Sequence, residues 1–268
     1  MTADPIYRGF ALDAETALAL LQWQAELGAD EPCLDAPLDR YELSDRAEAA
    51  PAPVVPPPAA PAKARDAAED LTAQAEAMAG AAATLAELAA AQEAFDGIEL
   101  KKGARNFCFA DGNPAARVMI IGEAPGEEED RQGRPFVGRA GQLLDRMFAA
   151  IGLSRQAVDA EKALYITNVL TWRPPGNRRP EPAEIAVMLP FLRRHVELAQ
   201  PEALVLMGNT PCIAALNRQG ILKLRGTWTE AFGLPALPMT HPSYLLRTPA
   251  AKREAWADLL SLSARLGG

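Results

Sequence analysis

Four short apolar runs constrain this chain most: Val118–Ile121, Leu164–Leu170, Ala203–Met207 and Pro235–Thr240. Runs of this length, rich in β-branched and aliphatic residues, read as buried strands. The stretches between them carry helical spacing. Arg139–Ile151 places Leu143, Leu144, Met147, Phe148 and Ile151 on one side. Pro182–Leu198 and Thr210–Asn217 form two further helices, and Lys252–Leu266 closes the chain with Trp256, Leu259, Leu260 and Leu262. Strands alternating with helices predict an α/β fold, a three-layer α/β/α arrangement around a central, mostly parallel four-stranded sheet. Phe107–Ala110 is a further short strand candidate.

Ligands of such sheets bind outside the carboxyl ends of the strands. That rule selects the turn Gly122–Gly126, the loop starting at Asn168, Gly208, and the loop starting at His241. In the first, a Pro and two Gly residues fix the backbone path, so the carboxylate of Glu123 is placed by the turn. Glu127, Glu128, Glu129 and Asp130 follow. They read either as a helix first turn favoured by the dipole or as a source of functional acid. Phe136, between glycines in GRPFVG, is either a core contact or a flat face for a planar ring. Asn168 either caps a turn or uses its amide, both donor and acceptor, on the edge of a base. Arg173, Arg178 and Arg179 in a Pro-stiffened loop suit phosphate contacts. Leu245 and Leu246 are either core or a wedge between bases, beside Arg247. His195, next to Arg193 and Arg194, reads as structural or surface.

The N-terminal third differs. Residues 1–93 hold five basic and seventeen acidic residues, a net charge of −12, against +4 for 94–268. A short helix is expected at 13–27, a stiff polyproline linker at 50–62, and one long Ala-rich helix at 66–93. The expected division is therefore an acidic extension, 1–93, open to a protein partner, and a main domain, 94–268. Three widely spaced cysteines (Cys33, Cys108, Cys212) form no CxxC pair, and there are two histidines. A disulfide framework and a thiolate or zinc site are not expected. No apolar run approaches a membrane span, and MTADPIYRGF lacks the features of a secretory signal, so a cytoplasmic location without membrane contact is expected.

The ordered segments GEAPGEEED, GRPFVGRAGQLLD, YITNVLTWRPPGNRRP and HPSYLLR resemble the uracil-DNA glycosylase superfamily, most closely its family 4, over residues 94–268. The resemblance implies a monofunctional enzyme of base excision repair. It would flip deoxyuridine from single- or double-stranded DNA, hydrolyse the N-glycosidic bond and release free uracil. It implies Glu123, Glu129 and His241 as catalytic, with Ala124, Phe136, Asn168 and Asn177 binding the substrate. Arg173, Arg178, Ser243, Leu245, Leu246 and Arg247 would meet DNA, and the protein would act as a monomer. Family 4 members commonly hold a [4Fe–4S] cluster on four cysteines. The matching positions here are Phe95, Ile98, Trp172 and Met188, all apolar, so no cofactor is expected and a hydrophobic plug takes the cluster's place. The competing reading is a damage-recognition protein that binds uracil or abasic DNA with little turnover. A phosphate-binding turn at GEAPG is disfavoured, because no GK[ST] or GxGxxG follows.

Overall fold

The computed structural model describes Ile6–Tyr7, Phe10–Ala11 and residues 62–267. The helix expected at 13–27 and nearly all of the linker expected at 50–62 lie outside the described residues. The chain divides into two compact units, Met1–Ala59 and Ala60–Gly268. In the first, β1 (Ile6–Tyr7) pairs antiparallel with β2 (Phe10–Ala11).

The second unit contains a six-stranded sheet. Its strands are β3 (Ala110–Gly112), β4 (Val118–Gly122), β5 (Leu164–Asn168), β6 (Ala203–Met207), β7 (Thr229–Ala231) and β8 (Leu234–Met239), in the order β3-β5-β4-β6-β8-β7. The four expected strands form the parallel centre, β5-β4-β6-β8. Two short antiparallel edges, β3 on β5 and β7 on β8, extend it. The strand expected at Phe107–Ala110 begins only at Ala110, because the Cys108 N–H leaves the ladder and reaches the Thr171 carbonyl. Every residue of β4 and β6 is buried, as in parallel sheets covered on both faces. Met119, Ile121, Leu204 and Leu206 face one core; Val118, Ile120, Val205 and Met207 face the other.

The helices of this unit are α1 (Ala62–Ala81), α2 (Leu85–Ala94), α3 (Leu100–Gly103), α4 (Glu127–Gln132), α5 (Arg139–Ala149), α6 (Pro182–Ala199), α7 (Asn209–Leu216), α8 (Ile221–Leu224), α9 (Pro242–Arg247) and α10 (Lys252–Leu266). Met188 and Phe191 of α6 pack on one face of the sheet, while Leu144 and Phe148 of α5 and Leu259 and Leu262 of α10 pack on the other. No described helix is long and apolar enough to cross a membrane.

Two further expected elements change. The single helix expected at 66–93 is two helices, because Thr84 turns extended and caps α2 by accepting from the Glu87 N–H. The second compact unit runs from Ala60 through residue 94 to Gly268. Ala75, Ala79, Ala82 and Leu88 share a core with Met188, Phe191 and Leu192, and small Ala side chains let helices approach closely. Arg194 adds two hydrogen bonds to the Ala82 carbonyl, at 3.0 and 2.8 Å. Finally, the segment after His241 is a helix rather than a loop, with Pro242 at its first position.

Candidate active site

The site forms where β4 and β5 end side by side. Gly122 pairs with Asn168, and the chain after β5 curls over the end of β4: the Val169 and Leu170 N–H groups bond the Gly122 and Glu123 carbonyls. Gly122 is required by its neighbours. A Cβ there would sit 2.3 Å from Asn168 Oδ1 and 2.4 Å from the Phe136 ring. Asn168 and Phe136 therefore meet over a bare backbone. Asn168 is 3 % exposed, and its Oδ1 has no hydrogen-bond partner. A buried unpaired carbonyl costs about 1–3 kcal/mol, and Asn168 Oδ1 keeps its capacity to accept a hydrogen bond.

His241 enters from the end of β8. Its ring lies 5.4 Å from the Phe136 ring, inclined by 30°, and its Cβ lies against Gly208, which follows β6. Gly208 has φ of 100°, a conformation glycine adopts readily. His241 caps α9 through its ring: Nδ1 accepts from the Ser243 N–H at 3.1 Å and lies 2.8 Å from the Ser243 hydroxyl. The backbone donor fixes the tautomer. Nδ1 must present a lone pair, so Nε2 carries the proton. Burial, together with the positive charge of Arg247, pushes the His241 pKa down to about 4. The imidazole is neutral at pH 7 and is an N–H donor beside the Phe136 ring.

Glu123 accepts a 2.6 Å hydrogen bond from the Thr210 hydroxyl through Oε2. Ala124 follows it, half-buried in the turn. Glu129, the second acid expected in the site, is bonded to backbone. Its Oε1 accepts from the N–H groups of Val137 and Gly138 at 2.9 and 2.8 Å, and its Oε2 from Gly126 at 3.1 Å. Three backbone donors make this carboxylate a brace for the Phe136 loop.

The residues expected to meet DNA divide. Leu245 is 1 % exposed, in a small core with Leu143, Ala251 and Ala255, whereas Leu246 beside it is half-buried. Arg247 is exposed. Arg178 is held by both carboxylate oxygens of Glu184, at 2.9 and 2.6 Å. Arg173 donates to Asn177 Oδ1 at 2.8 Å and lies 3.9 Å from both Glu127 and Asp130. Asn177 is therefore bound to its own loop, with φ of 55°. His195 is 3 % exposed, bonded to the Tyr165 hydroxyl at 2.9 Å and stacked on Phe109 at 4.3 Å. It is structural and not on the surface. Thr210 and the Ser243 contact to the ring were missed as positioning groups. A Ser two residues beyond a His at a helix start was the available signal for the latter.

Phe95, Ile98, Trp172 and Met188 are all buried in one apolar cluster. The Phe95 ring lies 5.4 Å from Phe191, and Trp172 lies 5.0 Å from Phe107. None of the four offers a thiolate, so these residues do not fit a cysteine-held iron–sulfur cluster. Cys108 is buried, its Sγ donates to the Glu129 carbonyl, and its pKa is pushed up to about 12 by burial and by Asp130 and Glu129. Among the described residues no group of three or more His, Cys, Asp or Glu is arranged to hold a metal ion.

A family model described as the uracil DNA glycosylase superfamily matches residues 109–260. The type-4 uracil-DNA glycosylase of Thermotoga maritima is 41% identical over 145 residues, 53% of this chain and 72% of that protein. Those of Saccharolobus solfataricus and Archaeoglobus fulgidus are 37% and 34% identical over 178 residues, 63% of this chain and 80% and 86% of theirs.

Proposed function

Because the chain belongs to the uracil DNA glycosylase superfamily, we propose that it is a monofunctional uracil-DNA glycosylase of base excision repair. It takes deoxyuridine flipped out of single- or double-stranded DNA, hydrolyses the N-glycosidic bond and leaves an abasic site. The observation that carries this reading is the unpaired Oδ1 of buried Asn168 beside the Phe136 ring. A base stacked on Phe136 meets the Asn168 amide with its polar edge. Uracil offers the N3–H that Oδ1 lacks and a carbonyl for the amide N–H. Cytosine offers the reverse pattern and leaves both groups unpaired when the amide is held in one orientation.

Bond cleavage sends negative charge onto the uracil ring. A neutral His241 donor at Nε2 strengthens its hydrogen bond as that charge grows, a contribution of about a hundredfold to a thousandfold for a donor of this kind. Glu123 holds the attacking water through the oxygen that Thr210 leaves open, and Ala124 shapes the turn around it. The water's oxygen bonds to the sugar carbon, the electron pair of the broken bond leaves with uracil, and the water's proton is released. Arg247 and Leu246 follow the DNA at the lesion. Arg173 and Arg178 reach phosphate once released from their carboxylate partners, and Asn177 moves with Arg173.

In this reading the enzyme works without an iron–sulfur cluster, the apolar group around Phe95 and Trp172 pinning the same loop. It acts as a monomer in the cytoplasm, and the acidic extension meets a repair partner. The test is cleavage of a single-uracil oligonucleotide beside a matched cytosine control. Alkali-labile product from uracil alone supports the reading. Tight binding of uracil or abasic DNA without product would replace it with damage recognition.

A further inference from the structure

Phe136 has φ of 54°, in the left-handed region that bulky residues avoid. Something must hold it there. On one side Glu129 takes the N–H groups of the next two residues. On the other side stands Arg155, which no motif of the sequence marks. Its Nη1 donates to the Pro135 carbonyl at 3.0 Å and its Nη2 to the Phe136 carbonyl at 2.9 Å. The guanidinium is itself fixed: Nε donates to Asp145 at 2.8 Å, Nη1 to Asp111 at 3.0 Å, and the side chain is 8 % exposed. An anion grips the donors after Phe136 and a cation grips the acceptors before and at it. Gly141 completes the fit, since a Cβ there would lie 1.7 Å from the Phe136 carbonyl oxygen.

We propose that Arg155 is a positioning residue for base recognition: by holding the carbonyls of Pro135 and Phe136 it sets the plane on which the base stacks. Asp111, from edge strand β3, and Asp145, from α5, aim it. This rests on reading the site as a uracil pocket. The planar fork is what binds two adjacent carbonyls while meeting two carboxylates, so lysine is a poor substitute.

The experiment compares wild type, Arg155→Gln, Arg155→Lys, Phe136→Ala and the Arg155→Gln/Phe136→Ala double variant in the full chain. Three quantities are read: kcat/KM on a single-uracil oligonucleotide, inhibition by free uracil, and affinity for an undamaged duplex. Arg155→Gln should weaken the first two by about tenfold or more, Arg155→Lys by less, with duplex affinity unchanged. In the Phe136→Ala background, Arg155→Gln should cost little further, because the ring it positions is gone. Equal losses in both backgrounds, or unchanged inhibition by uracil, would overturn the inference. Should Arg155→Gln fail to fold, Asp145→Asn, at an exposed partner of Arg155, should weaken uracil inhibition less but in the same direction; no change in it or in Arg155→Lys overturns the inference equally. A wild type that cleaves no uracil-containing DNA contradicts the functional reading instead.

Discussion

Acidifying the enzyme from about pH 8 to about pH 5 should leave His241 uncharged and its contribution to catalysis intact. An ordinary histidine, titrating near 6.5, is roughly 90 % protonated at about pH 5.5. With its pKa pushed down to about 4, His241 is roughly 3 % protonated there. Two structural facts hold it neutral. The site is buried, and protonating Nδ1 would set an N–H against the Ser243 N–H that it now accepts. The chain has two histidines, so nitrogen-15 NMR of the imidazoles gives two ring systems, and His195→Gln separates them. The expected spectrum shows His241 protonated on Nε2, bare on Nδ1 and unchanged to about pH 5. A His241→Gln enzyme keeps a neutral N–H and should retain more activity than His241→Ala, which should lose about a hundredfold or more. A His241 that titrates near 6.5, with activity rising as it becomes charged, would refute the neutral-donor argument. So would an Nδ1-protonated tautomer.

Three further outcomes are expected. Thr210→Val removes the hydroxyl that orients Glu123 and should lower kcat by about tenfold with KM little changed, while Thr210→Ser keeps activity; equal loss in both would mean the methyl group, not the hydroxyl, matters. Both histidines have lowered folded pKa values, about 4 for His241 and about 3 for His195, so the unfolded chain takes up protons below its pKa of about 6.5 while the folded one does not. Stability should therefore fall with pH from about 7 to about 5, by up to about 4 kcal/mol for the pair; urea unfolding at the two pH values measures it, and a His195→Gln protein whose loss is not smaller would contradict the argument. The purified full chain should be colourless and free of iron; stoichiometric iron would contradict the apolar plug.

The strand ends were legible because a short apolar run closed by Gly or a polar residue has few other readings. Those ends carry Glu123, Asn168, Gly208 and His241. What the sequence hid was set by long-range contacts. Glu129 is matched to a catalytic acid by the resemblance alone, and only the fold shows three backbone N–H groups, of Gly126, Val137 and Gly138, on its oxygens. Leu245 and Leu246 are neighbours of the same type, and helical geometry turns one into the core and leaves the other partly open. Arg155 belongs to no motif, and its role comes from two carbonyls about twenty residues earlier in the chain. The Ala-rich stretch before residue 94 reads as a helix with a narrow apolar side, and its sequence does not name the surface that side meets. Its small side chains still pack, because α6 offers Phe191 and Leu192 in return.

The measurement that bears most directly on the account is free uracil released from a single-uracil oligonucleotide, by wild type beside Asn168→Ala and His241→Ala. Release by wild type, and its loss or strong reduction in both variants, is the expected result. Uracil release that survives both substitutions, or none from wild type, would contradict it.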